Sequence, residues 1–140
     1  GNMCGLLAKY LEAKFVLMHI AYPYSDELVA LAKHYSNVWV DMCWAWSIDP
    51  YSSRDFLRRF IHAVPINKIF TYGGDTGWAT SSVAYAFQAR REIQKALEAE
   101  IDDDYMNEKQ AMAVATQIMH DNQYACFDLH NTRTNIRSAA

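Results

Sequence analysis

Three short runs of consecutive apolar residues divide the first half of the chain. They cover residues 14–19 (KFVLMH), 37–43 (NVWVDMC) and 68–72 (KIFTY). Continuous apolar runs of this length are typical of strands that are buried on both faces, as in a parallel sheet. The pattern therefore predicts three strands separated by helical segments.

Between and after these runs, apolar residues recur at spacings of three and four, which predicts helices. Ser25 is the expected N-cap of one helix, and Ser52 or Ser53 of the next, after a loop over residues 44–51. The polar residues 130–140 are expected to form a disordered tail. The predicted helices span residues 3–12, 26–35, 54–64, 80–100 and 107–121.

The alternation of strands and helices predicts a single α/β domain over residues 1–140. Three parallel strands would alternate with helices through right-handed crossovers, with further helices at the C-terminal end. Because parallel strands all end at the same edge of a sheet, His19, Asp41 and Asp75 are expected to share one edge. In α/β barrels and open α/β sheets, that edge carries the active site.

Composition narrows the possible partners and the cellular location. The 140 residues are 51% hydrophobic and carry a formal net charge of -3. No basic stripe is present, so a nucleic acid is not expected as partner. The apolar runs are far shorter than the roughly 20 residues of a membrane helix, so no membrane partner is expected. Cys4, Cys43 and Cys126 are odd in number and widely spaced, which predicts free thiols in a reducing cytoplasm.

His19 and Asp75 are the candidate catalytic and metal-binding residues. An imidazole and a carboxylate at a common sheet edge can bind a divalent metal, and the carboxylate can accept a proton from water. Each residue alone also fits a structural role, because a histidine often closes a buried strand and a Gly-Gly-Asp turn often begins a helix. Four aromatic residues near the same edge are candidates for substrate binding: Tyr22, Trp44, Trp46 and Trp78.

Four segments in order, FVLMHIAYPY, LAKHYSNVWVDMCW, VPINKIFTYGGDT and HDNQYACFDL, resemble the amidohydrolase-related family of metal-dependent TIM-barrel hydrolases. The resemblance covers about residues 10–129 and implies the last three βα units of a (β/α)8 barrel. His19 resembles the histidine at the end of the family's sixth strand, which binds metal or contacts substrate. Asp75 resembles the eighth-strand aspartate, which binds metal and acts as general base. Asn122 matches a structural position.

The resemblance implies a divalent metal, zinc, and a small-molecule substrate. However, the chain contains no His-x-His pair, which the family needs on its first strand. We therefore expect a fragment that is inactive alone and that lacks part of its metal site. A three-stranded sheet with open edges is expected to form a homo-oligomer or to pair with a missing N-terminal half-barrel.

Two other function classes stay open from the sequence. One is a non-catalytic α/β module that uses the same fold for binding or oligomerisation, which the missing His-x-His pair favours. The other is a doubly wound nucleotide-binding domain. The turn at residues 73–75 lacks the spacing of the glycine-rich phosphate loops, which argues against nucleotide binding.

Overall fold

The computed structural model describes residues 3–139 and shows an α/β arrangement. The strands are β1 (Phe15–Leu17), β2 (Val38–Asp41) and β3 (Ile69–Phe70). The helices are α1 (Cys4–Lys9), α2 (Ser25–His34), α3 (Ala45–Ile48), α4 (Pro50–Ala63), α5 (Ala79–Asp102), α6 (Glu108–Thr116), α7 (Asn122–Phe127) and α8 (Leu129–Ala139). Short 3-10 turns cover His19–Ala21 and Ile66–Lys68, and a π-helical turn covers Gln117–Asp121.

The three strands form one parallel sheet in the order β1-β2-β3. Val16 pairs with Trp39, and Val40 pairs with Ile69. Helix α2 connects β1 to β2, and α3 and α4 connect β2 to β3, as parallel pairing requires. The predicted α/β class with three parallel strands is confirmed, and all three strands end on the same side.

The apolar face of α4 lies in the core. Phe56, Leu57 and Phe60 are each 0% exposed. Leu28 and Ala32 of α2 are also buried and belong to the same core cluster. Burying a large apolar side chain contributes about 1.5–3 kcal/mol, so these three residues of α4 contribute substantially to the stability of the core.

The start of α4 differs from the sequence prediction. Asp49, and neither Ser52 nor Ser53, is the N-cap, and its carboxylate accepts hydrogen bonds from the backbone of Tyr51 and Ser52. Pro50 occupies the first helical turn, where its missing N–H is tolerated. The prediction of a loop over residues 44–51 was therefore wrong. Ser25 likewise lies within α2 and does not cap it.

A buried carboxylate joins α4 to α5. Glu100 is 0% exposed and accepts a hydrogen bond from Arg58, and its other oxygen lies 2.6 Å from Nε2 of His62. A buried charge is tolerated when it is paired in this way. The three-residue cluster fixes the C-terminal half of α5 against α4.

The C-terminal helical segments contact β3 and the residues on either side of it. The buried Asn122 donates from Nδ2 to the carbonyls of Ile66 and Ile69, each at 2.8 Å. This confirms the structural role expected for Asn122. The hydroxyl of Thr71 also donates to the carbonyl of Ile118 at 3.1 Å. Two separate contacts therefore fix the segment that leads to Asp75.

None of the helices described over residues 3–139 has the length and apolar character needed to cross a bilayer. Helix α8 has no buried residue. The disorder predicted for residues 130–140 stays a prediction, and Ala140 lies outside the described residues.

Candidate metal centre

The segments that follow β1 and β3 bring His19 and Asp75 together. Nε2 of His19 lies 3.5 Å from Oδ2 of Asp75. The His19 side chain is 33% exposed and that of Asp75 is 52% exposed, so solvent and a small ligand can reach both. The common edge expected from the sequence is thus present, while the catalytic and metal-binding roles of the two residues stay predictions.

A backbone carbonyl from the turn after β2 fixes the orientation of His19. Nδ1 of His19 lies 2.8 Å from the carbonyl oxygen of Cys43. A carbonyl can only accept, so Nδ1 donates, and the neutral ring then carries its lone pair on Nε2. Nε2 is the nitrogen that faces Asp75. This is the arrangement that metal-binding histidines usually show.

Asp41 stabilises the turn that presents this carbonyl. Its Oδ1 accepts a hydrogen bond from the backbone N–H of Cys43 at 2.6 Å. Burial raises the pKa of Asp41, the Cys43 N–H and His19 oppose the rise, and the charge of Asp75 adds to it. Asp41 therefore positions the turn after β2 and adds negative charge behind the His19–Asp75 pair.

The thiol of Cys43 completes a cluster of three donor groups. One donor atom each from His19, Cys43 and Asp75 lie within 4.8 Å of one another. Cys43 is 5% exposed. Burial, together with the charges of Asp41 and Asp75, raises the pKa of its thiol to about 11, so the unliganded thiol is protonated at neutral pH. Imidazole nitrogen, thiolate sulfur and carboxylate oxygen are all zinc ligands, so the donor set fits a divalent metal.

Sequence reasoning missed Cys43. Its spacing from the other cysteines carries no signal, because no Cys-x-x-Cys pair exists. The available signal was its position, two residues after Asp41 at the strand edge that also carries His19 and Asp75. The prediction of a free thiol is consistent with the structure, in which all three cysteines are free.

Three residues of the site adopt left-handed backbone conformations. The φ angles are 59° for His19, 62° for Trp44 and 39° for Asp75. Residues other than glycine rarely occupy this region, and such conformations concentrate at functional sites. The sharp reversals at the strand ends let the side chains of His19 and Asp75 approach each other.

The four aromatic residues predicted to bind substrate have different environments. The Trp44 ring packs edge-on against His19, with ring centroids 5.5 Å apart, and is 43% exposed. Trp46 is 2% exposed, and its indole N–H donates to the carbonyl of Thr71 at 2.7 Å. The prediction for Trp46 was therefore wrong, because its side chain fills the core. Tyr22 and Trp78 are exposed, at 46% and 74%.

Three of the other histidines, His34, His62 and His120, have other partners. His62 binds Glu100, and the ring of His34 packs against Tyr35. His120 lies 2.7 Å from the carboxylate of Asp121 on the exposed π-helical turn. None of these three belongs to the cluster formed by the site residues.

Comparison with known proteins identifies the family. The sequence profile of the amidohydrolase family matches residues 3–128, which is most of the chain. The chain therefore belongs to the amidohydrolase family.

The chain spans only a small part of two longer proteins to which it is similar. The chain is 32% identical over 141 residues to protein fluG of Emericella nidulans, covering 92% of this chain but 15% of fluG. A crystal structure from Lactobacillus casei ATCC 334, described as a metal-dependent hydrolase, superposes with a TM-score of 0.74 at 20% identity. That match covers 92% of this chain and 34% of the other. At this identity the likeness shows the fold alone.

Proposed function

We propose that this chain is the C-terminal part of a metal-dependent hydrolase whose complete domain is a (β/α)8 barrel. The observation that carries the proposal is the 3.5 Å approach of the His19 imidazole and the Asp75 carboxylate at the carboxyl edge of a parallel sheet. Family membership and the superposition with a hydrolase structure support it. The three strands here would be the sixth, seventh and eighth of the barrel.

His19 and Asp75 would hold a divalent metal, zinc, which when bound makes water a stronger nucleophile near neutral pH. The Asp75 carboxylate would serve as general base, accepting a proton from water. The Cys43 carbonyl keeps the lone pair of His19 on Nε2, and Trp44 limits the rotation of the imidazole ring. The substrate would be a small molecule, with the exposed Tyr22, Trp44 and Trp78 beside it.

As an isolated fragment the chain would be inactive, because it lacks the His-x-His pair. Within the described residues, β1 and β3 are the two ends of the sheet, and each has one edge without a neighbouring strand. We propose that an N-terminal half-barrel or a second copy of the chain pairs with these edges, in a cytoplasmic setting without nucleic acid or membrane.

A second candidate function is a non-catalytic binding or oligomerisation module. It is favoured by the missing His-x-His pair and by large exposed apolar side chains, such as those of Trp78 and Phe87 at 74% and 69%. This candidate requires no bound metal, so metal analysis separates the two.

The test is zinc affinity of the tag-free chain, compared between Asp75→Asn and Asp121→Asn. Asp121 is a matched control because its carboxylate also faces a histidine, but on an exposed turn. Asp75→Asn should weaken zinc binding at least tenfold, whereas Asp121→Asn should leave it unchanged. In a completed barrel, Asp75→Asn should lower kcat by roughly 10²–10⁴-fold, as expected for loss of a general base. Equal zinc affinity in both variants would refute the proposal.

A further inference from the structure

We propose that Cys43 is the third protein ligand of the metal, so that this chain alone supplies a nitrogen, a sulfur and an oxygen donor. This inference rests on the proposed function for the position of the metal between His19 and Asp75. It adds the identity of the third ligand and the prediction that the chain binds metal without a partner.

The distances permit a shared ion without large movements. The three donor atoms lie within 4.8 Å of one another. Metal–sulfur and metal–nitrogen bonds of about 2.3 and 2.1 Å place ligand atoms of one zinc roughly 3.5 Å apart. Contraction by about an ångström therefore converts the observed cluster into a coordination sphere. Asp75 is the most exposed of the three and has the most freedom to make that adjustment.

Gly73 provides the space that the thiol occupies. A Cβ atom built on Gly73 would lie 2.7 Å from Sγ of Cys43, well inside the normal contact distance. Glycine at this position therefore lets the segment after β3 pass close to the sulfur. Any larger residue would push the thiol away from its position beside His19 and Asp75.

Cys43 contributes to the site through its backbone as well as through its thiol. Its carbonyl oxygen accepts from Nδ1 of His19 and fixes the direction of Nε2. Its backbone N–H is held by Asp41, which restricts the turn. The thiol is thus carried by the same backbone segment that orients the imidazole, and the positions of the sulfur and the nitrogen are coupled.

The donor set predicts the class of metal. Thiolate ligands select zinc and similar transition metals over magnesium and calcium, which prefer oxygen. On binding, the S–H bond breaks, the proton passes to solvent, and a metal–sulfur bond forms. Three protein ligands leave a fourth position of a tetrahedral metal open, as in catalytic zinc sites. The sulfur would partly replace the ligands that a His-x-His pair supplies.

The experiment is titration of the tag-free, reduced chain with cobalt(II), followed by absorption spectroscopy. Cobalt bound to thiolate gives an intense near-ultraviolet charge-transfer band, whereas its weaker visible bands report coordination by any ligand. We expect the charge-transfer band in the native chain and in the Cys4→Ser/Cys126→Ser double variant. Cys43→Ser should lose the band and weaken cobalt binding by more than the roughly 10–100-fold typical of losing an outer-shell partner.

The possible outcomes separate this inference from the proposed function. Visible cobalt bands without a charge-transfer band in the native chain would overturn the role of Cys43 and leave the metal site of the proposed function intact. No cobalt binding at all would overturn both. A charge-transfer band that persists unchanged in His19→Gln and Asp75→Asn would place the sulfur-bound cobalt outside the shared site and would also overturn the inference. The native spectrum decides the first two cases even if Cys43→Ser folds poorly.

Discussion

Asn122→Ala should be one of the most destabilising polar substitutions in the chain. The Asn122 side chain is buried, and its amide donates 2.8 Å hydrogen bonds to the carbonyls of Ile66 and Ile69. Alanine removes both donors at once. No solvent is available at this position to replace them, because the residue is 4% exposed.

The size of the effect follows from these two bonds. Each buried hydrogen bond contributes about 0.5–1.5 kcal/mol net, and an acceptor left without a donor carries an additional penalty of about 1–3 kcal/mol. The carbonyls can relax partly, so we expect a loss of about 2–3 kcal/mol in the free energy of unfolding. For a domain of this size, that loss lowers Tm by roughly 6–12 °C.

Urea denaturation followed by circular dichroism measures the change. Asn131→Ala is the matched control, because the amide of Asn131 donates only to the exposed carboxylate of Asp128. The control should change stability by less than about 0.5 kcal/mol. Protein concentration must be equal in all samples, since self-association would shift the transition. A loss for Asn122→Ala no larger than that of the control would refute the reasoning.

Three further predictions concern the helices and the core. Asp49→Ala should lower stability by about 1 kcal/mol. Hydrogen bonds from the Ser52 hydroxyl and backbone N–H lower the pKa of Asp49 below 3.8. The stability that the ionised Asp49 contributes is therefore complete above pH 3.8 and is lost as the pH falls below it. Acid denaturation of Asp49→Asn should lack this loss of stability. Glu100→Ala should lower the free energy of unfolding, measured by urea denaturation, by about 2 kcal/mol. This loss is smaller than for a fully buried ion pair, because the partners Arg58 and His62 are 34% and 44% exposed. Glu108→Ala is the control and should have no effect. Trp46→Phe should lose about 1–2 kcal/mol in thermal unfolding with its buried hydrogen bond.

Much of the fold could be predicted because it depends on local periodicity. The apolar spacing in α4 places Phe56, Leu57 and Phe60 on one face, and the structure buries that face. The three apolar runs likewise predicted the strands and their common carboxyl edge, which is enough to bring His19 and Asp75 together. These features need only the order of the elements and the handedness of their connections.

Features that depend on contacts between distant segments could not be predicted. Trp46 is buried because its indole reaches the carbonyl of Thr71 across the sheet edge. The Asp49 cap of α4 is by contrast a local feature: its carboxylate accepts from the backbone of Tyr51 and Ser52, and the Asp-Pro pair at residues 49–50 was a sequence signal for it. Cys43 joins the donor cluster because the turn after β2 directs both its carbonyl and its thiol toward β1 and β3.

The same reasoning explains how a two-residue strand can position a metal ligand. Hydrogen bonding within the sheet holds β3 only over Ile69–Phe70, yet contacts continue along the exit segment. The Thr71 hydroxyl donates to the Ile118 carbonyl, and the Thr71 carbonyl accepts from the Trp46 indole. The Tyr72 hydroxyl donates to the Ser82 carbonyl at 2.6 Å. The Gly73 carbonyl accepts from the backbone N–H of Trp44. Contacts with the π-helical turn, α3 and α5 thus replace the missing strand length. Because Asp75 lies two residues beyond this fixed path, substitutions at the supports should affect metal affinity as well as stability.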